Sequence, residues 1–281
     1  MRISFIIPTY NTLELTKKCL DSLIATVDMQ DYEVIIIDDC STDGTREYLS
    51  KLPPVFRPIL NSNNQGYGKN CNQAAQIAQG ELLCLCNSDL VFLSDWLPPM
   101  INALLTRESP AFIGNMQRSV STGRIDHLGV RFLSDGRPVH IAWDRGYAPI
   151  RKYLKVSAVT AACCLIRKDL FLKFNGFSDQ FRNGFEDTDL CLRLLEGGYH
   201  HYVATRSTVL HHVSASPGRK DFEDKNLKHF LELWKEKAMK ISKHDEMKWK
   251  LFENLLEYPP ALRIILYPIV RLFLRFFHFN R

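Results

Sequence analysis

Apolar and polar residues alternate along the first part of the chain in blocks of strand length and helix length. Four apolar runs suit buried strands: ISFIIP (3–8), YEVIIIDD (32–39), FRPIL (56–60) and ELLCLC (81–86). The stretches between them carry helical features, such as the apolar spacing of TLELTKKCLDSLIA and the capping residues that open STDGTREYLSKL. This βαβαβαβ order predicts an α/β fold, a doubly wound and mostly parallel sheet flanked by helices.

The second part of the chain is less regular but continues the mixture of strands and helices. Residues 117–155 are rich in Gly, Arg, Asp and Pro and predict loops or short hairpins. The remaining segments predict, in chain order, a helix in DWLPPMINALL, a strand in AFIGNMQ, a strand and helix in SAVTAACCLIRKDLFLKFNGF, a helix in EDTDLCLRLLEGGY and a strand in YVATRSTVLHH. We therefore expect one α/β domain over residues 1–216 and a basic helical extension with an amphipathic C-terminal segment over 217–281.

The extension differs from the domain in charge. The chain has a net charge of +5, and residues 217–281 hold 14 Lys and Arg against 9 Asp and Glu, so the surplus lies there. Within it, ALRIILYPIVRLFLRFFHF (261–279) places Arg263, Arg271 and Arg275 along one edge of a broad apolar helix face. That pattern favours a peripheral membrane-surface helix over a spanning one, and the alternative is packing on the domain or a partner. No basic stripe or motif of a nucleic-acid-binding protein is present.

Eight cysteines occur without a CxxC pair, which argues against a zinc site and favours buried free thiols. Free thiols are typical of a reducing cytoplasm. The N-terminal segment is too short and too soon interrupted for a signal peptide and predicts a first strand instead. We expect a cytoplasmic protein, peripheral at the inner face of the cell membrane.

Polar clusters follow each of the four predicted strands. In a doubly wound sheet these strand ends meet at one rim, where α/β folds bind ligands. Each cluster alone also suits turn or capping chemistry. A bound nucleotide would account for all four clusters. The chain lacks the phosphate-binding loops GxxxxGK[ST] and GxGxxG, so a divalent cation such as Mg²⁺ or Mn²⁺ would have to hold the diphosphate of that nucleotide. The candidate nucleotide-binding residues are Pro8, Thr9, Tyr10, Asn11, Asp38, Asp39, Asn64, Gly66, Asn70, Asn87 and Ser88, with Asp89 as a metal ligand.

The ordered set IIPTYN, IIIDDCSTDGT, NSNNQGYGKNCNQA, LCNSDL, TAACCLIRKDLF, NGF, EDTDLCLRLLEGGY and LHHVSAS resembles the family 2 glycosyltransferases of GT-A fold. It resembles most the bacterial rhamnosyltransferase-like branch, over residues 3–216. The resemblance implies that NSD is a DxD-type metal motif with Asn87 at its first acid position. It further implies that His211, or alternatively His212, joins Asp89 at the metal or the diphosphate. A hydrogen-bonded strand histidine is the structural alternative.

The same resemblance gives roles to the other clusters. Asp38, Asp39, Thr9 and Asn11 correspond to contacts with the base and ribose. The EDTD stretch corresponds to the catalytic-base motif, with Asp187 as first choice and Glu186 as second. An acidic start that stabilises the helix dipole is the alternative explanation of EDTD.

The function expected from the resemblance is metal-assisted, inverting transfer of one sugar. The donor would be a nucleotide-diphosphate sugar, with dTDP or UDP favoured, and the acceptor a hydroxyl of a cell-surface glycan or lipid-linked molecule. The processive members' QxxRW signature is absent from the chain. Two alternatives stay open: a nucleotidyltransferase, and a catalytically silent nucleotide-binding scaffold of a membrane complex.

Overall fold

The computed structural model describes residues 2–28, 32–142, 151–212 and 221–256, the side chains only as far as residue 243. The strands are β1 (Ile3–Thr9), β2 (Tyr32–Asp38), β3 (Phe56–Leu60), β4 (Leu82–Cys86), β5 (Leu90–Phe92), β6 (Pro110–Ser119), β7 (Ile125–His127), β8 (Val130–Phe132), β9 (Pro138–His140), β10 (Tyr153–Val156), β11 (Cys163–Arg167) and β12 (His200–His211). The helices are α1 (Leu13–Thr26), α2 (Thr45–Leu49), α3 (Tyr67–Ile77), α4 (Leu97–Thr106), α5 (Lys168–Lys173), α6 (Glu186–Glu196) and α7 (Glu223–Leu256).

Most strands form one mixed sheet in the order β10-β12-β6-β11-β4-β1-β2-β3, and β8 and β9 form a separate hairpin. Pairing is parallel among β4, β1, β2 and β3, as the sequence predicts. The other half of the sheet is mixed, because β11 runs antiparallel to both β4 and β6 while β12 is parallel to β6. Parallel neighbours need a long crossover. The regular strand–helix alternation supplies such crossovers only in the first 90 residues.

Apolar layers cover both faces of the sheet. One layer packs α3, α5 and α6 against side chains such as Ile6 and Ile35, and the other packs α1 and α4 against Ile7 and Ile36. Successive strand residues point to opposite faces, so a strand covered on both sides is apolar throughout. All seven residues of β1 are buried for this reason. All eight cysteines are free and seven are buried, which agrees with the prediction of buried thiols.

The described part of the C-terminal extension packs on the rest of the chain. Phe230 of α7 is fully buried in a small third core with Phe132, Phe181 and Leu192. The indole nitrogen of Trp234 donates a hydrogen bond of 2.8 Å to the Asp189 carboxylate on α6. Helix α7 therefore joins the β8–β9 hairpin to the start of α6.

The predicted amphipathic segment 261–279 lies outside the described residues. Across the ranges that are described, no helix combines the length and the apolar character needed to cross a bilayer.

Candidate active site

The end of β1 forms one wall of a cavity at the rim of the sheet. Pro8, Thr9 and Tyr10 line this cavity. The Thr9 hydroxyl is hydrogen-bonded to the Thr16 hydroxyl at 2.7 Å, which fixes its position. Asn11 has a positive φ of 49° and turns away from the cavity, where its Oδ1 accepts a hydrogen bond of 2.7 Å from the amide of Thr42. Asn11 therefore shapes the loop and is not among the residues that line the cavity.

The two adjacent aspartates after β2 have different environments. Asp38 is completely buried, and its carboxylate accepts hydrogen bonds from Arg46 and from the backbone amide of Ser41. Asp39 lines the cavity instead. Its two oxygens accept the backbone amides of Gln65 and Gly66 at 2.7 and 2.9 Å. The structure thus brings Asp39, and not Asp38, to the candidate site.

The loop before α3 supplies a third wall. Gly66 adopts φ 86° and ψ 165°, a conformation that only glycine enters readily, and an added Cβ would lie 3.1 Å from the Asn183 carboxamide oxygen. Asn64 and Asn70 line the cavity beside it, whereas Gly66 itself does not. Asn70 is fully buried, and its Nδ2 has no hydrogen-bond partner in the protein. A buried donor without a partner is costly, so this amide is suited to a ligand oxygen.

The NSD stretch divides between the cavity and a deeper position. Asn87 and Ser88 line the cavity, and Asp89 lies behind them at 4% exposure. Strand pairing of β5 with β12 brings His211, 6% exposed, beside Asp89. Asp89 Oδ1 and His211 Nε2 lie 3.2 Å apart, yet neither atom makes a hydrogen bond. The two atoms are at ion-pair distance from each other, and as neighbouring buried ligand atoms they also fit one divalent cation. The mixed oxygen and nitrogen set suits Mn²⁺ better than Mg²⁺.

This pair does not by itself form a complete metal site. Among the described residues, no group of three or more His, Cys, Asp and Glu side chains is arranged to hold a metal ion. Asp126 on β7 lies near His211, its Oδ1 is buried without a hydrogen-bond partner, and burial raises the pKa of its carboxyl. The remaining ligands of a cation at Asp89 and His211 would come from phosphate oxygens and water, as Mg²⁺ and Mn²⁺ often require.

The three acids at the start of α6 have separate positions. Asp187 lines the cavity, and its Oδ2 and Oδ1 accept the backbone amides of Ala161 at 3.0 Å and Thr188 at 2.7 Å. Glu186 also lines the cavity, is buried, and accepts the amide of Gly184 at 2.6 Å. Asp189 points away from it and pairs with Arg193 and Trp234. Asp189 therefore braces the helix, while Asp187 and Glu186 face the cavity.

The loop before these acids has an unusual backbone. Asn183 and Phe185 have positive φ values of 56° and 73°, and Gly184 between them has φ 156°. Such conformations cost about 1–3 kcal/mol at a non-glycine residue and persist where the surroundings impose them. Here Asn226 of α7 donates from Nδ2 to the carbonyls of Arg182 and Gly184 at 2.8 and 3.0 Å.

The cavity has a volume of about 170 Å³ and collects residues from the four strand-end clusters and from the EDTD stretch. Of the predicted site residues it brings together Pro8, Thr9, Tyr10, Asp39, Asn64, Asn70, Asn87, Ser88, Glu186 and Asp187. Asn11, Asp38, Gly66, Asp89 and His211 are not among the described residues that line it. The lining residues that sequence reasoning missed are Tyr67, Thr160, Ala161, Ala162, Asn183 and Gly184.

Two of the missed residues had a signal in the sequence. Asn183-Gly184 is a turn dipeptide directly before EDTD, and such turns present backbone groups at a site. Tyr67 carried no signal beyond its place at a helix start. Burial raises the pKa of Tyr67, so the phenol stays protonated and donates to the Ala161 carbonyl at 2.7 Å.

Comparison with known proteins gives one family and several partial relatives. The profile of "Glycosyl transferase family 2" matches residues 4–174. An uncharacterized protein of Sinorhizobium fredii is 28% identical over 235 residues, 79% of this chain and 26% of the relative. An O-antigen biosynthesis protein of Myxococcus xanthus is 26% identical over 228 residues, 76% of this chain and 18% of the relative. A poly(ribitol-phosphate) beta-glucosyltransferase of Bacillus spizizenii is 33% identical over 122 residues, 42% of this chain and 19% of the relative. The chain spans about a quarter or less of the length of these relatives.

Solved structures share the fold at low sequence identity. The structure of GalNAc-T7 with UDP, GalNAc and Mn²⁺ has a TM-score of 0.63 at 14% identity, covering 75% of this chain and 44% of that one. The structure of Staphylococcus aureus TarS residues 1–349 has a TM-score of 0.52 at 20% identity, covering 75% of this chain and 60% of that one. At these identities the likeness concerns the arrangement of strands and helices.

Proposed function

The chain belongs to glycosyl transferase family 2 and has the GT-A fold, and on that premise we propose that it is an inverting glycosyltransferase. It moves one sugar from a nucleotide-diphosphate sugar to a hydroxyl of a cell-surface glycan or a lipid-linked acceptor. The observation that carries the proposal is the rim cavity. Residues from six separated stretches meet there, among them Asp39, Asn70 and Asp187.

The nucleotide would lie along the ends of β1, β2 and β4. Asp39 already accepts two backbone amides, which hold its carboxylate in one orientation at the cavity that Thr9 and Tyr10 also line. The unpartnered Asn70 amide would donate to a ribose or phosphate oxygen. A dTDP or UDP sugar is the donor we favour, because a carboxylate at Asp39 suits the imide N–H of a pyrimidine.

Asp187 is the residue we propose as the general base. In an inverting transfer a carboxylate takes the proton of the acceptor hydroxyl as that oxygen attacks the anomeric carbon. The amides of Ala161 and Thr188 hold the Asp187 carboxylate in one orientation, which favours such positioning. Glu186 is the second choice, since it faces the same cavity but is more deeply buried.

Asp89 and His211 are the residues that would hold Mg²⁺ or Mn²⁺. Their facing, unpartnered atoms support this assignment. A bound cation would offset the negative charge that builds on the leaving diphosphate. Asn87 and Ser88, which precede Asp89, line the cavity, where they can contact the donor.

Release of nucleoside diphosphate tests the proposal. The purified chain is incubated with UDP, dTDP and GDP sugars and either Mn²⁺ or Mg²⁺, and liberated nucleoside diphosphate and free sugar are measured. We expect slow donor hydrolysis with one nucleotide class and a thermal shift with the same donor. Asp39→Asn should weaken binding of that donor. A chain that releases pyrophosphate from a nucleoside triphosphate instead, or that binds donors without ever cleaving them, would contradict the proposal.

A further inference from the structure

A second cavity of about 320 Å³ lies beside the rim cavity, and no role described so far uses it. Thr160, Asn183, Gly184 and Asp187 line both cavities. The other walls come from the β8–β9 hairpin and from Phe185, Thr188 and Glu223. The carboxylate proposed as the base therefore borders the donor cavity and the second cavity at once.

We infer that the second cavity is the acceptor site and that it takes an uncharged sugar unit. The inference rests on the proposed function, because it needs Asp187 to face an acceptor hydroxyl. A base that removes a proton must lie within hydrogen-bond reach of that hydroxyl while the donor occupies the neighbouring cavity. The shared wall at Asp187 gives both substrates access to one carboxylate.

The charges of the second cavity determine the acceptor class. Its described lining includes two carboxylates, Asp187 and Glu223, the imidazole of His140, and no Lys or Arg. Lys69, Arg182 and Lys225 line a separate cavity. A phosphate or uronate in the second cavity would lie beside two carboxylates with no described Lys or Arg to pair with, which disfavours it. A neutral sugar meets no such penalty.

The uncharged lining groups suit the two kinds of surface that a sugar presents. Thr160, Thr188 and Asn183 carry hydroxyl and amide groups that can hydrogen-bond sugar hydroxyls. Phe185, Val130 and Pro138 supply apolar surface. The lining therefore offers both hydrogen-bonding groups and apolar surface to a bound sugar.

Helix α7 holds these walls in place. Phe230 lies between the ring of Phe132 on the hairpin at 6.3 Å and the ring of Phe185 at 5.4 Å, measured between ring centroids. Asn226 binds the backbone of the Asn183–Phe185 loop from the same helix. The cavity therefore has walls that are fixed by packing and hydrogen bonds, and it lies where the hairpin, the loop and the first turns of α7 meet.

The test compares matched neutral and acidic acceptors. The full chain, its donor and the cation are incubated with methyl glucoside and methyl galactoside, and with the corresponding methyl glucuronide and methyl galacturonide. Each uronide differs from its partner only by a carboxylate in place of the hydroxymethyl group. We expect transfer to a neutral glycoside to be at least about tenfold faster than transfer to its uronide.

Charge variants test whether the second cavity causes the preference. Glu223→Lys should reduce the preference for the neutral acceptor about fivefold, and Glu223→Gln should reduce it by a smaller factor. Asp224→Lys is the matched control, since Asp224 is exposed on the same turn and is not among the residues that line the cavity. It should leave the preference unchanged.

If the wild-type chain hydrolyses its donor, three outcomes would overturn the inference while the proposed function stands. Uronides could be used as fast as their neutral partners, or Glu223→Lys and Asp224→Lys could change the acceptor preference equally. The third outcome is that neither neutral glycoside raises donor turnover above the rate of hydrolysis. Absence of any donor turnover would instead refute the proposed function itself.

Discussion

Asp187→Asn separates the role of Asp187 in catalysis from its role in the structure. Asn has the same shape and keeps one oxygen that can accept the amide of Ala161 or Thr188. It has no basicity, so it cannot take the acceptor's proton. General-base catalysis typically contributes about 10²- to 10⁴-fold, or roughly 2.7–5.5 kcal/mol at 1.36 kcal/mol per factor of ten. The turnover of Asp187→Asn should therefore fall by at least about a hundredfold.

The same change also has a structural cost. Hydrogen bonds to a charged group contribute about 1.5–3 kcal/mol and those to a neutral group about 0.5–1.5. One of the two amide contacts is kept and weakens by about 1 kcal/mol, and the other loses its acceptor oxygen, at about 1.5–3 kcal/mol. Loss of a negative charge in the first turn of α6 adds about 0.3–1 kcal/mol. A total near 3–5 kcal/mol should lower Tm by about 6–20 °C for a chain of this size. The variant should still be folded at 25 °C.

The assay measures kcat for transfer, the KM for the donor and Tm on the same preparations. Donor KM should change little, because Asp39 and Asn70 contact the nucleotide side of the cavity. Asp189→Asn is the control: Asp189 lies two residues away in the same helix but binds Arg193 and Trp234 outside the cavity. It should lower Tm and leave kcat nearly unchanged. A kcat for Asp187→Asn within about threefold of wild type would refute the role of Asp187 as general base. An equal loss of kcat in Asp187→Asn and Asp189→Asn would show that the loss comes from reduced stability of α6.

Four further changes test other parts of the argument. Gly66→Ala should lower the free energy of unfolding in urea by about 2–4 kcal/mol because of its glycine-only backbone, whereas Gly123→Ala, with open space around it, should cost about 1 kcal/mol. Trp234→Phe should cost about 1.5–3 kcal/mol by the same measurement, since it removes a hydrogen bond to a carboxylate. Burial lowers the pKa of His201 to about 4. Between pH 6.5 and 4 the His201 imidazole is therefore protonated in the unfolded chain and neutral in the native chain. Its free energy of unfolding should fall by up to about 1.4 kcal/mol per pH unit from pH 6.5 to 4, and His201→Gln should flatten that slope. Deletion of residues 258–281 should move the protein from the membrane fraction to the soluble fraction after cell lysis, and an unchanged distribution would argue against a membrane anchor.

The part of the fold built from strand–helix alternation follows directly from the sequence. Each of the first four strands ends within about two residues of a predicted polar cluster, so Asp39, Asn70 and Ser88 were predicted at one rim. The antiparallel insertion of β11 was not predicted, because its apolar run looks the same in either strand direction. Local sequence specifies burial, whereas strand direction depends on which neighbour completes the sheet.

Within the site, the sequence identified clusters but not the orientation of their members. Asp38 and Asp39 are adjacent acids with the same turn signal, yet only Asp39 reaches the cavity, because successive residues leave a strand on opposite faces. Ala161 and Gly184 contribute through backbone amides, which no side-chain motif records. The packing of α7 on the hairpin could not be predicted either. It joins residues about 100 positions apart in the sequence, and no periodic pattern of apolar residues identifies such a pair.

Those contacts link the strained loop to both halves of the candidate site. The Asn183–Phe185 backbone is held on one side by Asn183 Oδ1, which accepts the amide of Tyr67 at 3.0 Å, and on the other by Asn226. Asp187 follows directly, so its carboxylate has the position that these two attachments allow. One attachment comes from α3 and the other from α7, so the position of the proposed base depends on contacts from two separate helices. A change in either contact would therefore move Asp187 relative to both cavities.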